Sequence, residues 1–327
     1  MANETTTSTL DDITNASLVL PLIINALSEK PGLAIAACRE FDLTQGFASN
    51  VVKLPVETSW WGTPYDRGAS IDTELDATQG TALSNTAFST GVVTLTCAEY
   101  GVAAALTDNV AEDSAISGSE LLTRFMGHML HALTLALDDD YCALFASLSN
   151  SVGTSGADLT VAQALAANQG IRRRGAMADR LWYILDQQQV DDLQNALIAG
   201  NAAAAVYALS ADRILNVSAG PNNGIGYDRT ALQFSGYPVI GSGLTDSANA
   251  GADVSGACIV PTSAANDDSG ATTHGLAWKR MPKFETQRQA KGRSTDLVMT
   301  MRAGLAELQD GAGTSIVTDL LSYLNRN

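Results

Sequence analysis

Cysteine, positive charge and long apolar runs are all scarce in this 327-residue chain, and each scarcity removes a class of function. Its four cysteines, Cys38, Cys97, Cys142 and Cys258, are spread widely, with no CxxC pair and none beside a histidine. Zinc-ligand and redox spacings are therefore missing, and buried thiols in a reducing compartment are expected. The apolar run Leu18–Leu27 is short and holds Pro21 and Asn25, while Met1–Leu10 is polar and Thr-rich without a basic start, so neither a membrane span nor a signal peptide fits. Lys and Arg number 19 against 35 Asp and Glu, a formal charge of −16 that repels nucleic acid at long range and disfavours a dedicated DNA-binding role. No segment recurs at a fixed period, which excludes solenoids and propellers.

What is present is a composition for a packed core. Hydrophobic residues make up 46%, and a chain of this length buries roughly three quarters of its unfolded surface, so the fold needs neither disulfides nor metals. The pattern predicts a mixed α+β architecture. Asn15 or Ser17 caps a short helix to Leu27, ended by Lys30, Pro31 and Gly32. Val51–Glu57 and Gly91–Leu106 are strand-like and look like the two arms of one long hairpin. Between them Thr58–Thr90 is polar yet carries Trp60, Trp61 and Tyr65. Structureless segments of this length are usually lids, binding loops or arms, so it is expected to pack on a neighbouring subunit.

Ser117-Gly118-Ser119-Glu120 matches a capping box and opens the strongest helix, with Leu121, Phe125, Met129, Leu133, Leu137, Tyr141 and Leu148 on one face. Continued to Leu148, it would span roughly 48 Å. Thr160 and Gln163 form a second capping box leading a helix to about Arg173, and Leu181–Leu185 reads as a buried strand. Asp186 with Gln189 caps a helix to Ile198. Gly220–Gly275 is rich in Gly, Asn and Ser, with short strands at Tyr237–Ile240 and Ala257–Val260. Phe284–Gln289, Leu297–Arg302 and Ser315–Thr318 read as strands that return to pair near the hairpin.

Motifs for chemistry are missing. The chain has no GxSxG elbow, no phosphate-binding GxxxxGK[ST] loop, no dinucleotide GxGxxG and no HExxH, so catalytic, cofactor-binding and metal residues are all expected to be none. His128 and His131 sit one helical turn apart, with His274 as a distant third, but a structural role is the simpler reading. Asp138-Asp139-Asp140 point in different directions on a helix and read as a solvated edge. Arg172-Arg173-Arg174 lie at the carbonyl end of a helix, where cations suit the dipole. Asn216-Val217-Ser218 matches a glycosylation acceptor in a chain with no mark of secretion.

Charge is distributed more informatively. Glu57–Asp76 holds five acidic residues, among them Asp66, Asp72 and Glu74, against Arg67 alone. Trp278–Arg302 holds Lys279, Arg280, Lys283, Arg288, Lys291, Arg293 and Arg302 against Glu285 and Asp296. Either these are two unrelated solvated faces, or opposite signs steer the acidic arm onto a neighbour's basic segment. In the second case Trp60, Trp61, Tyr65, Asp66, Asp72, Glu74, Lys283, Arg288, Lys291 and Arg293 form the subunit interface.

The order of these elements resembles the Hong Kong 97-type fold of tailed-bacteriophage major capsid proteins. The stretches that carry the resemblance are Gly91–Gly101 ahead of the Ser117–Leu148 helix, the turn from Leu148 through Thr154 into Leu159–Ala162, Leu181–Leu193 and Gly236–Gly241. The resemblance implies an N-terminal arm (1–50), an extended β-hairpin loop (51–106), a peripheral domain with the spine helix (107–159), an axial domain (160–277) and returning strands of the peripheral domain (278–327). It implies a self-assembling structural protein rather than an enzyme, with hexamers and pentamers closing an icosahedral head in the virion, assembled in the host cytoplasm. Implied partners are other copies of the chain, separate scaffold, portal and decoration proteins, and packaged double-stranded DNA on the inner face, with no membrane. Two departures matter. Some relatives crosslink through a loop lysine, but no lysine occurs between Lys53 and Lys279, so a noncovalent shell is expected. Some also begin with a helical scaffolding segment, absent before Asn15, so a separate scaffold or a removed precursor segment is expected. The competing readings are an encapsulin-like compartment shell, a small hydrolase-like enzyme with its site in Gly220–Gly275, and a tail or surface-layer protein.

Overall fold

The i, i+4 spacing of Leu121, Phe125, Met129, Leu133, Leu137 and Tyr141 produces the helix expected of it. In the computed structural model, which describes residues 4–5, 31–43, 50–59, 89–113, 118–173, 181–203, 232–245, 247–248, 252–262 and 272–319, this helix runs Gly118–Ala143. It is preceded by α1 (Leu33–Ala37) and α2 (Asp108–Asp113), and is α3 here. It is shorter than the apolar pattern suggested, because the chain tightens into a 3-10 turn at Leu144–Ser147 that buries Phe145. At 1.5 Å per residue α3 is about 39 Å long. Its apolar stripe lies on the sheet formed by the strands described next.

Five strands build that sheet: β1 (Glu4–Thr5), β2 (Arg39–Asp42), β5 (Ala98–Thr107), β12 (His274–Gln289) and β13 (Ser294–Glu307), in the order β1-β5-β13-β12-β2. Leu297, Met299, Met301 and Ala303 alternate inward from the central β13 to meet Leu121, Met129, Leu133 and Leu137, forming one hydrophobic core. A second sheet of seven strands runs β6-β14-β11-β7-β9-β8, with β10 on β11. Its members are β6 (Ser151–Gly153), β7 (Trp182–Asp186), β8 (Leu232–Phe234), β9 (Tyr237–Ser242), β10 (Ser247–Ala248), β11 (Asp253–Ile259) and β14 (Gly313–Asp319). Helices α4 (Val161–Arg173) and α5 (Gln187–Ala203) cover it, with Ala164, Ala167, Ile171 and Leu193 in its core.

Several further expectations need correcting. Val51–Ser59 (β3) and Ser89–Thr96 (β4) do form an antiparallel two-stranded hairpin, but the arm does not continue to Leu106. At Cys97, whose N–H donates to the Asn50 carbonyl, the chain leaves the hairpin, and β5 pairs with β13 from Ala98↔Ala303 to Thr107↔Ser294. Gly304 permits that crossing, since a Cβ there would stand 2.6 Å from the Thr96 carbonyl oxygen. Ser315–Thr318 does not return to the hairpin either. It lies in β14, paired with β11 and β6, so the second sheet draws strands from outside 160–277. The helix begun at Asp186 runs on to Ala203 rather than stopping at Ile198.

Both capping boxes that fall on described residues form. Thr160 and Gln163 exchange side-chain-to-backbone hydrogen bonds of 3.0 and 3.3 Å. The Asp186 N–H donates to Gln189 Oε1 at 3.1 Å, and Asp186 Oδ1 accepts from the Gln188 N–H at 2.7 Å. Gln189 does more than cap. Fully buried, it donates through Nε2 to the Ile316 carbonyl at 2.9 Å and to Thr318 Oγ1 at 2.8 Å, fastening α5 to β14. The Ser117 box and the helix expected from Asn15 or Ser17 to Leu27 lie outside the described residues.

A last correction concerns Asp138. Only 1% exposed, it is not a solvated edge: Oδ2 accepts from the Gly32 and Leu33 N–H groups at 2.6 and 3.0 Å, and Oδ1 from the Ala34 N–H at 2.8 Å. Those are the donors that the first turn of α1 leaves without helical partners. The pattern missed it because the donors lie more than a hundred residues away. Truncation in Asp138→Ala strands all three, and is expected to destabilise the fold by roughly 3 kcal/mol in denaturant unfolding, with loss of amide protection over residues 32–38.

Candidate functional site

The basic segment singled out in the sequence is the outer half of the β12–β13 hairpin. Beyond two irregularities between Trp278 and Lys283, regular pairing resumes from Lys283↔Thr300 to Gln289↔Ser294 and closes in a turn at 290–293. Apart from half-buried Phe284, residues 281–293 are exposed. The outer edge of β12 meets β2 only over Gly275–Trp278. Among the described residues its remaining length has no strand partner, and Pro282, Lys283, Glu285 and Arg288 are the residue types that guard such an edge.

The four basic residues expected at an interface fall into two pairs. Lys283 and Arg288 are engaged within their own chain: Lys283 Nζ lies 2.5 Å from Glu285, and Arg288 forks onto Asp108 through two 2.6 Å hydrogen bonds. The Asp108 N–H also donates to the Arg293 carbonyl at 2.9 Å, so the junction of β5 and α2 clamps the base of the turn. Lys291 and Arg293 stand exposed on the turn itself, Arg293 with φ of 49°. A third ion pair, Arg280 to Glu99 at 2.5 Å, crosses the sheet from β12 to β5. Glu99 and Asp108 were not legible as partners, because contacts about 180 residues apart leave no local signal.

Trp60, Trp61, Tyr65, Asp66, Asp72 and Glu74 lie outside the described residues, as does most of the acidic segment. The histidines are not brought together. His128 is exposed and His131 half-buried on α3, whereas His274 is 1% exposed against Tyr141 and Phe145, ten or more residues along the helix and so roughly 15 Å away. Among the described residues no three His, Cys, Asp or Glu side chains are grouped to hold a metal. All four cysteines are buried free thiols, and burial followed by the charge of Asp138 pushes the Cys38 thiol well up. No helix among the described residues is long and apolar enough to cross a membrane.

The hydrogen bonds from Arg288, then its charge and that of Arg293, hold the Asp108 carboxyl below the usual carboxylate range. Arg288→Gln is expected to return the Asp108 titration, followed by carboxyl NMR, upward toward the ordinary value. Because the pair is solvent-screened, the thermal midpoint at neutral pH should hardly move.

No family model matches the chain, and no curated protein matches it in sequence. Solved structures do match over almost the whole length. The capsid of the cyanophage P-SCSP1u aligns with a TM-score of 0.62 at 11% identity, over 92% of this chain and 93% of that one. The capsid of Ralstonia phage GP4 gives 0.60 at 10% identity, over 93% and 96%. The capsid of a native GTA particle gives 0.56 at 14%, over 93% and 96%. At such low identity the likeness is one of fold: the chain has the α+β fold of tailed-phage capsid proteins, consistent with the Hong Kong 97 type.

Proposed function

We propose that this chain is the major capsid protein of a tailed bacteriophage, a non-catalytic subunit that assembles as hexamers and pentamers into an icosahedral head around double-stranded DNA. The observation that carries this reading is the full-length match, over nine-tenths of both chains, to capsid structures from several phages. A shared domain would support a shared module. A match over nearly the whole of both chains supports a shared role.

In this reading residues 1–50 act as an arm, 51–106 as the extended loop, 107–159 and 278–327 as the peripheral domain and 160–277 as the axial domain. The segment Thr58–Thr90 reaches a neighbouring subunit, where Trp60, Trp61 and Tyr65 supply apolar area and Asp66, Asp72 and Glu74 meet a basic surface. On that surface Lys291 and Arg293 carry the docking charge. Lys283 and Arg288, balanced by Glu285 and Asp108, hold the hairpin in shape. Packaged DNA is contacted without sequence selectivity, the particle is built in the host cytoplasm, and scaffold, portal and decoration proteins are the other partners.

Size-exclusion chromatography followed by negative-stain imaging tests the reading. Closed shells with DNA or tails are expected, cargo-filled compartments would favour an encapsulin-like protein, and a stable monomer would contradict it. Reversal of the turn charges, Lys291→Glu with Arg293→Glu, is expected to reduce shell yield by tenfold or more while far-ultraviolet circular dichroism stays unchanged. Boiled particles in denaturing detergent should run as monomers, since the segment from 54 to 278 has no lysine to crosslink.

A further inference from the structure

His274 opens β12 at the point where four elements meet, and nothing in the proposed shell function uses it. Its ring stands edge-on to Tyr141 of α3, with centroids 5.2 Å apart at 86°, and 6.0 Å from Phe145 of the 3-10 turn. It is 1% exposed, and neither Nδ1 nor Nε2 has a hydrogen-bond partner; the Tyr141 hydroxyl beside it has none either. Tyr141 and Phe145 belong to the same core as Leu33, Ala34 and Ala37 of the arm helix and Cys38 just after it. A buried imidazole without a partner is tolerated only while neutral, because an ionised group in apolar surroundings must find a counter-charge or solvent.

We propose that His274 is an acid-operated release for the joint between the arm helix α1, the spine helix α3 and strand β12. Taking up a proton, the ring, whose two nitrogens have no hydrogen-bond partner in the closed joint, must gain water or a new acceptor, which requires Tyr141, Phe145 and the arm helix to shift away from it. The titratable groups on the surrounding elements are Asp138, Tyr141 and Cys142 on α3, Cys38 at the end of α1, Arg39 on β2, Glu307 on β13 and Asp310 on the turn that follows. None bonds to the ring. Asp138 is committed to three backbone donors of the arm, Glu307 accepts from Ser147, and Asp310 accepts from the Ser149 N–H.

Burial alone lowers the His274 pKa from 6.5 to about 3. The direction follows: the closed joint is fully stable above the ordinary histidine value and loses stability as pH falls below it toward 3, since only the opened form takes the proton.

The test is amide hydrogen exchange by mass spectrometry on the purified full-length protein at pH 7.5 and 5.0, corrected for intrinsic exchange, comparing wild type with His274→Phe. The variant keeps Asp138, Glu307 and Asp310, so any effect that does not pass through the imidazole is common to both proteins. In peptides covering 32–38 and 138–147 the opening equilibrium of the wild type is expected to rise about thirtyfold more than that of the variant. An equal rise in both would overturn the proposal. Should the variant fail to fold, exchange of the histidine C2 hydrogens in wild type decides. His274 showing no titration midpoint between pH 5 and 8 supports the proposal, and a native midpoint near 6.5 at His274 overturns it.

Discussion

The contact between the Asp138 carboxylate and the backbone of residues 32–34 holds the two ends of this architecture together. It places a buried charge where the orphan donors of α1 need an acceptor, so the arm cannot leave without exposing the carboxylate and three amides at once. With α1 fixed, β2 is delivered in parallel register to β12 over Gly275–Trp278, and the Thr262 N–H reaches the Ala37 carbonyl at 2.8 Å. The chain segment leading out of the second sheet is thereby tied to the arm. The same turn of α3 presents Tyr141 to His274 and Cys142 to the core, so arm, spine and central hairpin share one joint.

How much of this was legible in the sequence depended on whether a feature is local. The spine helix, the Thr160–Gln163 and Asp186–Gln189 boxes and the strands around 182–186 and 237–242 rest on contacts within a few residues, and they form near the expected places. Features set by distant partners were not readable. Asp138 in a run of three aspartates looked solvated because its donors are over a hundred residues away. The strand pattern of Gly91–Leu106 is continuous in sequence, yet its halves belong to different sheets, since β5 takes its antiparallel partner from β13, nearly two hundred residues on. Of the candidate interface, the basic hairpin was visible as a charge imbalance, but the intrachain partners Asp108 and Glu285 that neutralise half of it were not assigned.

These physical constraints suit a shell subunit. Two sheets joined through one core make a body able to bear load, while the edge of β12 and the turn carrying Lys291 and Arg293 project as an exposed polar surface. The surface contributes little to the monomer's own stability, which leaves it open for use between copies. In the proposed shell, repetition in a closed array would convert individually weak contacts into a stable particle.

Cryo-electron microscopy of particles assembled from the full chain tests the central claim most directly. The account predicts an icosahedral shell in which the segment Thr58–Thr90 of each subunit lies across the β12–β13 hairpin of its neighbour. A lone subunit in solution, with that segment folded back over its own Leu121–Tyr141 helix face, would contradict it.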